Sequence, residues 1–166
     1  MNALAAAFTE LFTPVEAIPL ADAAARLLLA LLLGAMIGWE REAKSRPAGL
    51  RTHMLISMAA TIFTIIAMEQ TQFPASEQSL RVDPLRLIEA VTAGVAFLAA
   101  GSIITSGGNV KGLTTGASMW LAGAVGLACG TGDGILATMG AVLGLVTLWI
   151  IRIAIRPLAR NQDADQ

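Results

Sequence analysis

The stretch Trp39–His53, WEREAKSRPAGLRTH, decides how this chain is read. It holds four of the eleven basic residues, two glutamates and the only histidine, and it lies between two apolar runs. The run before it, Leu20–Trp39, matches the roughly 20 residues that a bilayer core about 30 Å thick requires. Within that run Ala30, Gly34 and Gly38 form a small-residue ridge that lets another helix approach closely. Asp22 and Arg26, four apart near its start, are set to pair while Arg26 snorkels outward. Glu40/Lys44 and Glu42/Arg46 are i,i+4 pairs in the favourable order, so the helix is expected to continue a turn or two beyond the membrane. Pro47 and Gly49 then end it, and Thr52 is the expected N-cap of a second span reaching about Met68.

The whole chain has the same bias. Its 166 residues give room for one domain, and they are 55% apolar and 14% charged. Soluble proteins are roughly 45–50% apolar and about 25% charged. A net charge of −1 leaves no basic face for nucleic acid. Cys129 is the only cysteine, so neither an internal disulfide nor a cysteine metal cluster is expected, and no cofactor is indicated. Glu10, Glu16 and Asp22 stand where a signal peptide would be basic, so the first apolar run is expected to remain as an anchor. Residues 1–19 are interrupted by Pro14 and Pro19, and their Leu4, Phe8, Leu11 and Phe12 suit an interfacial helix or a frayed terminus.

Beyond a polar loop at 69–84, three more spans are expected. The third, about Leu85–Thr105, carries Glu89 on a face with Ala93, Ala96 and Ala100, and that face is expected to point into packed protein. SGGNVKG (106–112) reads as a tight turn and not a P-loop, because its lysine precedes the glycine and its context is helical. The fourth span, Leu113–Cys129, carries a seam of Gly112, Gly116, Met119, Gly123, Gly126 and Gly130, which predicts close packing along its length. Asp133 in the following turn is read as a helix cap, and the fifth span, Ile135–Ile155, adds Ala137, Ala141 and Gly144. Residues 20–156 thus read as one all-α, five-helix transmembrane bundle with glycine-rich packing, and 157–166 as a polar tail. Eight basic residues fall on one side (Arg41, Lys44, Arg46, Arg51, Lys111, Arg152, Arg156 and Arg160) and three (Arg26, Arg81 and Arg86) on the other. The basic excess places the N-terminus outside and the C-terminus in the cytoplasm.

No catalytic constellation appears, and the chain reads as a non-enzyme. His53 beside Arg51 suits a structural or headgroup-facing role, and Ser118 lacks the neighbours of an activated nucleophile. A carboxylate within a span is a functional hypothesis by default, which selects Glu89 as the residue of a cation path. Arg51, fixed in the PAGLRTH corner, suits a phosphate headgroup or a partner's carboxylate.

Several motifs together resemble the MgtC/SapB family of bacterial inner-membrane proteins: LLLGAMIGWERE (31–42), PAGLRTH (47–53), VDPLR (82–86), GVAFLAAGSII (94–104), and NVKGLTTGASMW with AVGLACG (109–130). The resemblance covers most of residues 20–130, in order. It implies a five-helix membrane domain associated with magnesium limitation, stress adaptation and, in pathogens, virulence. It also implies a regulator of a membrane partner such as ATP synthase, rather than a magnesium carrier. By position the family's characteristic sites fall on Glu40, Arg41, Gly49, Leu50, Arg51, Thr52, Asp83, Arg86, Asn109, Gly112, Thr114 and Thr115. The chain departs from the family pattern at Ala96 and Ala99, where glycines are usual, and at Ala90, where glutamine is usual; it is expected to be a short form, without the soluble C-terminal domain of longer members. The rival expectation is a small oligomeric transporter or channel for a cation or small solute, with Glu89 in its path and the glycine seam at a homo-oligomer contact.

Overall fold

The computed structural model describes residues 5–6, 18–70, 83–106 and 109–162, with the side chains of Pro84, Ser106 and 151–162 outside the description. The proposed interfacial segment at 1–19, most of the 69–84 loop with Arg81, and the end of the polar tail lie largely outside these residues.

Helix α1 spans Leu20–Glu42. Pro19 is extended and its carbonyl accepts from the amides of Asp22 and Ala23, so the helix starts directly behind it. α2 spans Leu50–Gln70 and begins earlier than an N-cap at Thr52 would allow. The reason is Glu42, whose Oε2 accepts from the Leu50 amide at 2.9 Å and satisfies one of the donors orphaned at the start of a helix. Glu42 thereby serves α2 instead of the expected pairing with Arg46. Gly49 leaves room for that contact, because a Cβ there would displace the Glu42 carboxylate from the Leu50 amide. α3 spans Pro84–Gly101 and is capped by Asp83, which accepts from the Leu85 amide at 3.0 Å. A two-stranded antiparallel hairpin follows, β1 (Ile104–Ser106) and β2 (Asn109–Lys111), around the turn expected at 106–112. α4 spans Leu113–Thr131 and α5 Gly134–Gln162, and Asp133 caps α5 through the Leu136 amide at 2.9 Å. α1, α2 and α4 are long and apolar enough to cross a membrane, and the apolar part of α5, Gly134–Ile150, is shorter.

α4 is the centre of the bundle, packing on all four other helices. On one side Ala30, Leu33 and Ile37 of α1 meet Val125 and Cys129 of α4 and Ala137 and Ala141 of α5. On the other, Ile56 and Ala60 of α2 and Val91 and Val95 of α3 meet Met119 and Ala122. Between helices in a bilayer, close van der Waals contact replaces the hydrophobic drive of water, and bare backbone maximises it. Gly34 and Gly38 seat α1 on the start of α2, where a Cβ would lie 2.8 Å from the His53 carbonyl oxygen and 2.7 Å from Leu50 Cα. The α4 seam serves two partners, with Gly116 and Gly123 facing Ala99 and Val95 of α3 and Gly126 and Gly130 facing Ser57 and Thr64 of α2. Gly112 is left-handed at φ +92°, under the Ser102 carbonyl, and lets β2 turn into α4.

One expected face is corrected. Glu89, Ala93, Ala96 and Ala100 are all exposed, and α3 packs instead through Val91, Val95 and Ala99. The two faces repeat with the same helical spacing, and the bulkier one fills the groove beside α4.

Candidate functional site

Two polar clusters mark the two ends of the bundle. At the end holding Trp39–His53, the i,i+4 phase of α2 turns Gly49, His53, Ser57 and Thr61 inward while Arg51 points out. His53 is fully buried, with Nδ1 2.7 Å from the Gly49 carbonyl and Nε2 3.0 Å from the Ser118 hydroxyl of α4. A carbonyl only accepts, so Nδ1 carries a proton. The single Ser118 hydroxyl proton then goes to Nε2 of a neutral ring, or to the Thr115 carbonyl 2.9 Å away if the ring is doubly protonated. Beside it Arg41, also buried, donates from Nη2 to Thr115 Oγ1 at 3.0 Å, while its Nε and the Ser57 hydroxyl find no partner among the described residues. Glu40 lies 3.7 Å from the Arg41 guanidinium and pairs with Lys44. Deeper in, Thr61 donates to the Gly126 carbonyl at 2.8 Å and Thr64 folds back on the Ala60 carbonyl.

At the other end Arg26 does not snorkel freely. It pairs with Asp22 at 2.7 Å and reaches inward to the Gly130 carbonyl, also at 2.7 Å, where it closes the last turn of α4.

The site residues expected from sequence therefore separate. Arg41, Thr115 and Glu40 come together in the buried cluster. Arg51 is exposed and Thr52 half-buried on the outside of α2. Asp83 is spent as a helix cap, and Arg86 and Glu89 are exposed on the first turns of α3, at the far end of the bundle. Asn109 lies exposed on the hairpin, and Thr114 is exposed beside the buried Thr115. Sequence reasoning does not bring His53, Ser57 and Ser118 together as a unit. The signal for them is small polar side chains and one imidazole at four-residue steps in an apolar helix.

Chemically, the cluster fixes a guanidinium and an imidazole inside protein, both tied to α4. No group of three or more His, Cys, Asp or Glu able to hold a metal occurs among the described residues.

Comparison with known proteins now gives the family. The chain is 35% identical over 137 residues to a protein of Escherichia coli K12 named putative magnesium transporter YhiD, covering 82% of this chain and 64% of that one. It is 39% identical over 144 residues to protein MgtC of Brucella abortus, covering 86% of this chain and 55% of that one. The chain thus spans about half to two thirds of the length of these relatives. No solved structure matches it. The MgtC family model matches residues 27–156, from within α1 to within α5, and with its apolar helices this chain is a membrane protein belonging to the MgtC family.

Proposed function

We propose that the protein is a non-enzymatic regulator in the bacterial inner membrane, linked to magnesium homeostasis or stress adaptation. It crosses the membrane five times with the N-terminus outside and the C-terminus in the cytoplasm. It acts by engaging a membrane partner, of which ATP synthase is the one the family resemblance implies, and not by conducting magnesium. The observation that carries this reading is the charge of the interior. The fully buried ionisable side chains described are Arg41 and His53. The Glu40 carboxylate beside them, whose oxygens are also buried, is paired with Lys44 and set against Arg41, which leaves the cluster with an excess of positive charge. Mg²⁺ needs hard oxygen ligands, and a fixed guanidinium in the bundle opposes its passage electrostatically. Glu89, the carboxylate of the transporter alternative, faces outward, so a path through it would have to form between copies of the chain.

Reconstitution in vesicles loaded with a magnesium indicator tests the reading. Uptake is expected to equal that of protein-free vesicles, and robust uptake abolished by Glu89→Gln would overturn the proposal. In cells, ATP synthase subunits should co-purify with the wild type and be lost with Arg51→Ala. Arg51 is exposed, so that variant should still fold and insert.

A further inference from the structure

α3 packs on α2 and α4, whereas α5 packs on α1 and α4. The two helices therefore flank α4 without closing on each other, and a half-open cavity of about 320 Å³ lies in the gap. Its floor is made of the short side chains Ala124 and Ala128 of α4, and Leu87, Ile88 and Leu136 form its sides. Thr64 and Thr131 also line it, but their hydroxyls bond to the carbonyls of Ala60 and Ala128 in their own helices, at 2.8 and 2.9 Å. Ala67 and Met68 of α2 also belong to the lining, the Met68 thioether accepting from Arg26 Nη1 at 3.9 Å, so the walls offer hydrocarbon and one sulfur and no free donor. Apolar cavities of about 150 Å³ already stay dry and take up an aromatic ring, and this one is about twice that size.

We propose that this gap is a lipid site that holds one acyl chain of a membrane phospholipid, with the headgroup at the α3 end of the bundle. The proposal rests on the five-span reading, which puts α3 and α5 in the bilayer. The occupant follows from position and charge. The gap opens outward between two peripheral helices, where acyl chains are the surrounding solvent. Arg86, exposed on the first turn of α3 just ahead of the lining pair Leu87 and Ile88, supplies a cation for a phosphodiester at the headgroup level. The outward faces of α1 and α5 carry bulky residues such as Leu28, Leu32, Leu143 and Trp149, as a surface against mobile lipid does. The gap instead offers a recess floored by alanines.

The test is lipid retention. The protein is reconstituted in vesicles of phosphatidylethanolamine and phosphatidylglycerol, re-extracted in mild detergent, and followed by native mass spectrometry and phosphorus assay. The wild type should retain close to one phospholipid per chain. Ala128→Phe, which fills the floor, should reduce retention at least tenfold, and the milder Ala124→Leu should reduce it several-fold if the larger change impairs folding. Leu143→Phe, on the exposed face of α5, should retain lipid like the wild type. Arg86→Gln should weaken the retention of phosphatidylglycerol. Equal retention by wild type and both filled variants, no retention by the wild type, or a bound polypeptide in place of lipid would each overturn the proposal. A failure of the five-span reading is visible separately. In a Cys129→Ala background, Leu143→Cys should be protected from an impermeant maleimide in intact vesicles. Labelling there would remove α5 from the bilayer, whereas protection together with lost lipid retention strikes at the cavity alone.

Discussion

Adding one methyl group at Gly126 tests the closest helix contact in the bundle. A Cβ there would lie 2.8 Å from Ala60 Cβ and 2.9 Å from the Ser57 carbonyl carbon, with the Ser57 oxygen nearer still. Carbon atoms rest about 3.5–4.0 Å apart, so α2 and α4 would have to separate by roughly 0.7–1 Å. The obstacle is backbone, which cannot rotate away. Overpacking of this kind costs about 1–3 kcal/mol. The shift also strains the Thr61–Gly126 hydrogen bond, 2.8 Å long in the native bundle, worth about 0.5–1.5 kcal/mol. Against these stands the gain of alanine over glycine in a helix, about 0.5–1 kcal/mol. Gly126→Ala should therefore destabilise by about 0.5–4 kcal/mol in sum. On α3, a methyl group added at Gly94 would meet nothing within 4 Å, so Gly94→Ala should show only the helix gain of about 0.5–1 kcal/mol. Identical chemical changes should thus move stability in opposite directions. Unfolding by dodecyl sulfate in mixed micelles, followed by far-UV circular dichroism, measures both midpoints. Coincident midpoints for the two variants would refute the close approach of α2 and α4.

The buried cluster gives three further outcomes. Thr115→Val removes the acceptor of Arg41 Nη2 and should cost about 1–3 kcal/mol, while Thr115→Ser should restore most of it; equal midpoints would remove the hydrogen bond from the account. Ser118→Ala leaves His53 Nε2 unpaired in a buried site and should cost a similar roughly 1–3 kcal/mol. Nitrogen NMR of the wild type should find His53 protonated on Nδ1, and a ring protonated on Nε2 alone would refute the Gly49 contact.

The helical segments are legible in the sequence because Pro19, Pro47, Pro84 and the glycine turns punctuate apolar runs of suitable length. The direction each face points is less so. On α2 the neighbours Arg51 and His53 read alike as charge near a membrane surface. Two residues along a helix is about 200° of rotation, however, so one faces out and the other in. The four-residue steps of Gly49, His53, Ser57 and Thr61 carry the inner face. On α3 the alanine face and the Val91–Val95–Ala99 face repeat with equal regularity, and small size alone does not say which is packed. The α4 glycines announce close contact, but not that the seam divides between α3 and α2.

The two arginines of α1 have a mechanical consequence. Arg26 holds the Gly130 carbonyl and Arg41 holds the Thr115 hydroxyl. The separations match, since 41 − 26 = 15 residues on α1 and 130 − 115 = 15 on α4. At about 1.5 Å per residue, the antiparallel helices are riveted at points roughly 22 Å apart. A slip of one helical turn, about 5.4 Å, would shear both rivets together. α1 and α4 are therefore locked in register at both ends, and neither can slide along the other without breaking the two contacts at once.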